Sequence, residues 1–228
     1  MSGIDESVVT VGHRTQEEKR PTVAGNKTQQ KSVAREYTEA LIVALLLALF
    51  IRSFIVQAFK IPSGSMLPTL QIGDHILVNK FLYGLRLPYP IETTVWEWGQ
   101  PQHGDVIVFV YPKDRSKDFI KRVVAVAGDT VEIRHKAVYV NGRKVDDPHA
   151  TFADGDREIP GPRDNLGPFT VPEHKLFVMG DNRDQSHDGR FWGYVDLDDV
   201  KGKAFLIYWS WDGQDRWVRW ERIGDLIR

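Results

Sequence analysis

Apolar residues gather in one long block near the start of the chain and then in a series of short runs. That division predicts the architecture. From Ala40 to Phe50 every residue is apolar, and after Arg52 and Ser53 the run resumes through Phe59. A helix that crosses a bilayer needs about 20 such residues, so residues 39–59 suffice if Arg52 reaches the lipid headgroups. An arginine near the middle of a span costs about 2.5–3.5 kcal/mol, which the Leu-rich half ahead of it offsets. Two other readings of the block stay open. One is a helix buried in a core; the other is a cleaved signal peptide, since Val56-Gln57-Ala58 has the small-x-small form of a cleavage site.

Residues 1–38 are polar and lack a helical or strand period, which predicts a mobile tail. Arg14, Lys19, Arg20, Lys27, Lys31 and Arg35 precede the apolar block, and Arg52 and Lys60 are the basic residues close to its end. Positive-inside logic then puts the N-terminus in the cytoplasm and residues 60–228 outside it, with the block as a single-pass anchor.

The later short runs read as strands. His75–Phe81, Asp105–Tyr111, Phe119–Ala127, Lys175–Met179 and Lys203–Trp209 are rich in Val, Ile and aromatic residues. Thr130–Val145 reads as a hairpin with Asn141-Gly142 at its turn. Residues 146–172, rich in Asp, Pro and Gly, predict a long excursion or small subdomain. The expected fold class is therefore mainly β, an antiparallel β-sheet body behind one N-terminal transmembrane helix. Trp209, Trp211, Trp217 and Trp220 cluster near the C-terminus, where they suit either a membrane interface or a β core.

Composition removes several functions. A net charge of −1 over 228 residues offers no basic face for nucleic acid. The absence of cysteine excludes disulfides, thiolate nucleophiles and cysteine zinc sites. Mean hydropathy of −0.34 describes a mostly soluble body carrying one exceptional segment.

Residues 60–69 read Lys-Ile-Pro-Ser-Gly-Ser-Met-Leu-Pro-Thr. Pro62 and Pro68 fix φ on either side of Ser63-Gly64-Ser65, and Gly64 can take angles closed to other residues. Such a turn can present a hydroxyl and a backbone N–H to one space, or it can be a plain linker. A serine hydroxyl needs a base to act near neutral pH. His13, His75, His103, His135, His149, His174 and His187 fall in no recognisable catalytic or metal motif, and Ser65 lies in neither G-x-S-x-G nor S-x-x-K.

Lys121 offers a different base. In Phe119–Ala127 both faces are apolar apart from Lys121 on one and Arg122 on the other, which predicts a strand buried on both sides. Arg122 keeps its proton and needs a carboxylate, whereas burial favours the neutral amine of Lys121. An edge-strand lysine whose head reaches water is the alternative. The loop Gly180–Arg190 (Gly-Asp-Asn-Arg-Asp-Gln-Ser-His-Asp-Gly-Arg) could supply Asp184 or Asp188 to Arg122 and the Ser186 hydroxyl to Lys121. A solvated turn remains possible. A calcium loop counted from Asp184 fails at its twelfth position, Val195, where a glutamate is required.

Four segments in order, Ile61–Thr69, Gly73-Asp74, Phe119–Val124 and Gly180–Arg190, resemble the boxes of bacterial type I signal peptidases. These are membrane-anchored serine endopeptidases that remove signal peptides from exported preproteins. The resemblance implies Ser65 as nucleophile, Lys121 as general base, and the Ser63 hydroxyl with the Ser65 N–H as oxyanion hole. It implies that Ser186 holds the Lys121 amine, and that Asp188 pairs with Arg122 and Arg190. Phe59, Ile61 and Ile120 would line pockets for small residues at the substrate's −1 and −3 positions. It further implies a monomer in the bacterial cytoplasmic membrane, acting on preproteins at the bilayer without metal, cofactor or nucleic acid. The last box departs from the family at Gln185, commonly Asn, and Gly189, commonly Ser. Two rivals are a self-cleaving serine–lysine protease and a membrane-anchored envelope assembly factor without catalysis.

Overall fold

A computed structural model describes residues 33–86 and 94–228. In chain order its elements are helix α1 (Val33–Phe54), then strands β1 (Val56–Lys60), β2 (Asp74–Asn79), β3 (Gly84–Arg86), β4 (Thr94–Glu97), β5 (Val106–Val110), β6 (Asp118–Ala125), β7 (Thr130–Arg134), β8 (Ala137–Val140) and β9 (Arg143–Lys144). After a gap follow β10 (Leu166–Thr170), β11 (Lys175–Met179), the short helix α2 (Gly189–Trp192), β12 (Val195–Asp196), β13 (Val200–Asp212) and β14 (Trp217–Val218). The chain divides into two units, the first ending at Leu41 and the second running from Ile42 to Arg228.

The described part of the first unit, residues 33–41, is helical. The expected tail of residues 1–38 is thus too long: good helix formers from Val33 onward start the helix, and Arg35 Nε donates to Glu39 Oε1 one turn later at 2.8 Å. The basic residues from Arg14 to Lys31 lie outside the described residues. Helix α1 has 22 residues and buries none of them, which rules out the core-helix reading. At 1.5 Å per residue it is about 33 Å long, enough for the roughly 30 Å of a bilayer's hydrocarbon. Arg52 falls in its last turn, where a cation also suits the helix dipole.

In the second unit the helix stops five residues earlier than the apolar pattern predicts. Val56–Lys60 is a strand, paired antiparallel with β2 from Val56↔Asn79 to Lys60↔His75. Gln57 and Phe59 are half-buried while Ala58 and Lys60 are exposed, the period-two alternation of a sheet edge. The apolar run hid this change because strand and helix both tolerate Val, Ala and Phe.

The main sheet runs in the order β1-β2-β13-β5-β6-β11-β12, with β14 beside β13, and its pairings are antiparallel. The body is mainly antiparallel β, as the sequence predicts. Strand β13 is longer than the expected Lys203–Trp209 because it bulges three times while pairing with both β2 and β5. One core cluster, with Ile61, Met66, Leu70, Ile76 and Ile207, fills the space beneath the Ser65 turn. Asp74 is fully buried, and its carboxylate accepts from Arg222 Nη2 at 2.6 Å and Ser210 Oγ at 2.7 Å.

A second sheet has the order β10-β7-β8-β9. The expected single hairpin Thr130–Val145 is two. His135 and Lys136, at φ 50° and 65°, form the first two-residue turn, and Asn141-Gly142, at 53° and 77°, forms the second. The first turn lacks glycine, so composition gave no warning of it. Residues 146–172 are not a separate subdomain: their last part is β10, the edge strand on β7. The four tryptophans Trp209, Trp211, Trp217 and Trp220 are all exposed, which excludes their forming a β core.

Candidate active site

Three segments build the site: the turn after β1, strand β6, and the loop between β11 and α2. Ser65 is 9% exposed and Lys121 4%, and Lys121 Nζ lies 2.7 Å from Ser65 Oγ. The lysine amine also donates to its neighbour's carbonyl, Ile120 O, at 2.9 Å. Strand β6 sets this approach by pairing Lys121 with Ile107 of β5, which keeps the amine inside the protein instead of at an edge. Burial pushes the Lys121 pKa down to about 8, with the charges of Asp188 and Asp181 opposing the fall and Arg190 adding to it. A lysine at that value is neutral in part near physiological pH and can accept a proton.

The loop Gly180–Arg190 fixes the Ser65 turn from its carbonyl side. Asn182 N–H donates to Ser65 O at 3.1 Å, and Asn182 Nδ2 donates to Gly64 O at 3.2 Å. Among the described residues neither the Ser65 N–H nor the exposed Ser63 hydroxyl has a protein partner. Both donors are therefore uncommitted, as an oxyanion hole requires. Gly180 passes so close that an added Cβ would lie 2.4 Å from Ser65 O and 2.3 Å from Ser186 Oγ.

The expected pairing of Asp188 with Arg122 is not found. Arg122 Nε donates to Asp181 Oδ1 at 2.8 Å and Nη2 to Oδ2 at 2.7 Å, and Nη1 donates to Gly104 O. Asp188 instead takes Arg190, through Nε at 2.8 Å and Nη2 at 2.8 Å, and the Gly180 N–H at 3.0 Å. Burial pushes the Asp188 carboxyl up, but the hydrogen bonds and charge of Arg190 outweigh it and hold the pKa below the ordinary range. Side chains alternate across β6, so Lys121 and Arg122 face opposite sides, and Arg122 meets Asp181 while the Lys121 amine meets Ser65 Oγ. Thr69 Oγ1 donates to Asp181 Oδ2 at 2.6 Å, tying the end of the Ser65 turn to the same group.

Ser186 is buried, and its Oγ has no hydrogen-bond partner among the described residues. It lies near enough to Asp188 to favour the ionised carboxylate, yet the expected hydrogen bond to Lys121 is not formed here. Asp184 is held by Lys136 at 3.1 Å and by the Asp154 N–H at 2.8 Å, so the loop is an ion-pair network. At Gly189 a Cβ would lie 2.8 Å from Val178 O and 3.0 Å from the Phe177 ring, so the site as built takes glycine. Among the residues expected to line substrate pockets, Ile61 is buried, and Phe59 and Ile120 are partly buried on the same cluster. His187 stacks on Phe191 and lies 3.5 Å from the Tyr111 hydroxyl, with no contact to Ser65.

Sequence reasoning missed Asp181, Asn182, Thr69 and Gly180 as site residues, although all stand inside the segments it singled out. A family model described as signal peptidase, peptidase S26, matches residues 34–209. The signal peptidase I of Pseudomonas aeruginosa is 39% identical over 216 residues, covering 81% of this chain and 76% of its own length. That of Aquifex aeolicus is 36% identical over 229 residues, covering 77% of this chain and 84% of its own. A solved signal peptidase I from Enterococcus faecalis V583 is 31% identical, with 46% of this chain and 97% of that one overlapping at a TM-score of 0.38.

Proposed function

The chain belongs to the signal peptidase family, peptidase S26, and from that premise we propose that it cuts signal peptides from exported preproteins with Ser65 as nucleophile and Lys121 as base. The observation that carries this reading is the 2.7 Å approach of a buried lysine amine to a serine hydroxyl. The preprotein binds in extended form by adding a strand to an exposed sheet edge. Neutral Lys121 takes the Ser65 proton as Oγ attacks the scissile carbonyl, after a small residue at −1. The Ser65 N–H and the Ser63 hydroxyl hold the developing oxyanion. Lys121 returns its proton to the leaving amine, and water then hydrolyses the acyl-enzyme with Lys121 again as base.

Asp181 holds Arg122 and Asp188 holds Arg190, and these buried pairs brace the strand and loop that meet at the dyad. Helix α1 anchors the protein in the bacterial cytoplasmic membrane, with its N-terminus inside and the β body outside. The exposed tryptophans of β13 and β14, with Trp220 just beyond, are suited to the headgroup layer, where indole rings gather. The test uses full-length protein in detergent micelles with a purified preprotein and maps the cut by mass spectrometry. Cleavage after a small-x-small sequence is expected from the wild type and none from Ser65→Ala. Cleavage by Ser65→Ala at the wild-type rate would exclude the dyad.

A further inference from the structure

We propose that Thr151 is a positioning residue for the nucleophile: its hydroxyl fastens the Ser65 turn to the loop that holds Arg122, the neighbour of Lys121 on β6. This inference rests on the reading of Ser65 and Lys121 as the dyad. The segment after β9 crosses the back of the site as a strap, and charged contacts seat it. Asp147 pairs with Arg183, Lys136 and the Asp154 N–H converge on the buried Asp184, and Arg190 Nη1 donates to Arg163 O at 2.9 Å. Its first residues thereby lie against the Gly180–Arg190 loop.

Thr151 makes the contact. Its N–H donates to Asp181 O at 2.8 Å, and its carbonyl accepts from the Arg183 N–H at 2.9 Å, a parallel bridge to Asn182. The backbone is thus fixed without help from the side chain. The hydroxyl has two carbonyls in reach, Leu67 O at 3.1 Å and, longer, Asp181 O at 3.4 Å, which the Thr151 N–H already serves, so Oγ1 spans the two segments with its shorter bond on Leu67. Leu67 stands two residues beyond Ser65, and its N–H closes the turn onto Gly64 O at 3.2 Å.

Three carbonyls of the turn are therefore tied down: Gly64 and Ser65 by Asn182, and Leu67 by Thr151. The first two ties come from the loop between β11 and α2. The third comes from the strap, which no motif in the sequence marks. With one tie lost, the turn keeps its fold but Ser65 Oγ is free to drift from Lys121 Nζ. A misplacement of about 1 Å at a reacting atom can cost on the order of 100-fold in rate.

The experiment compares full-length wild type, Thr151→Val, Thr151→Ala and Thr151→Ser on one preprotein in detergent micelles, with kcat and KM measured separately. Thr151→Val keeps the shape and removes the hydroxyl; Thr151→Ala adds no bulk and reports the same loss should Thr151→Val not fold. Both should lower kcat about tenfold or more at an unchanged KM, and Thr151→Ser should recover most of it. A kcat within twofold of wild type in the Val or Ala variant overturns the inference, as does a Ser variant that falls as far as Val. A wild-type protein that leaves the preprotein whole overturns both this inference and the dyad, whereas active wild type with active Thr151→Val overturns this inference alone.

Discussion

Arg122 grips both carboxylate oxygens of Asp181, at 2.8 and 2.7 Å, from the strand position next to Lys121. Both partners are buried, at 3% and 0% exposure. The pair gives β6 a charged anchor on one face while the other face carries Lys121. Removing one member of such a pair leaves an uncompensated buried charge, which is costlier than replacing both.

Asp181→Asn should therefore destabilise the protein by about 3–5 kcal/mol, read as a large drop in melting temperature. It also removes an anion that raises the Lys121 pKa, so the pH at which activity appears should fall. An unaltered melting temperature, or an activity limb displaced upward, would contradict the role given to this pair.

Lys121→Met should abolish cleavage without loss of stability below pH 8. The folded pKa of about 8 lies below the ordinary 10.5, so between those values the unfolded chain binds more protons than the folded one. Stability then rises with pH across that window, by on the order of 3 kcal/mol, and the buried-charge penalty is complete below it. Chemical denaturation at pH 6 and pH 10 measures this. A wild type that gains nothing over that range, compared with Lys121→Met, would disprove a buried, depressed lysine.

The activity of the wild type should rise with pH along a single-proton limb centred near pH 8, the Lys121 value, because the proposed mechanism uses the deprotonated amine. Rates of preprotein cleavage from pH 6 to 9.5 give the limb. A flat profile would take Lys121 out of the proton-transfer step.

Ser63→Ala should lower kcat about 10²–10³-fold with little change in KM, the loss expected for one oxyanion donor. The Ser63 hydroxyl is exposed and has no protein partner among the described residues, so its removal should not disturb the fold. Full activity would leave the Ser65 N–H as the hole's donor without it.

Gly180→Ala should cost more than 10²-fold in rate, because the new Cβ would lie 2.4 Å from Ser65 O, a backbone atom with little room to yield, and reacting groups tolerate little displacement. A crystal structure of the variant would show the Ser65 turn shifted. Wild-type kinetics would mean that the turn is more pliant than its contacts imply.

The sequence disclosed the local features of the site well and their geometry unevenly. Pro62, Gly64 and Pro68 announce a turn around Ser65, and two cations in an apolar strand announce buried charge at Lys121 and Arg122. These signals are local, set by residue types a few positions apart. The end of α1 was misjudged because Val56–Lys60 is apolar enough for helix and becomes a strand through its pairing with β2. The turn at His135-Lys136 was missed because positive φ there is imposed by the ladder between β7 and β8.

Sequence alone determined the kind of machinery this protein carries, a hydroxyl in a rigid turn and an amine in an apolar strand behind an apolar helix. Tertiary structure decided the partnerships. The loop offers Arg122 three carboxylates, Asp181, Asp184 and Asp188, and residue type cannot rank them. The path of the backbone brings Asp181 to Arg122, Asp188 to Arg190 and Asp184 to Lys136, and carries Thr151 from a stretch without a motif to the carbonyl of Leu67. Charge and hydrogen bonding act over a few ångströms in space, and chain order does not specify those distances until the sheets have closed.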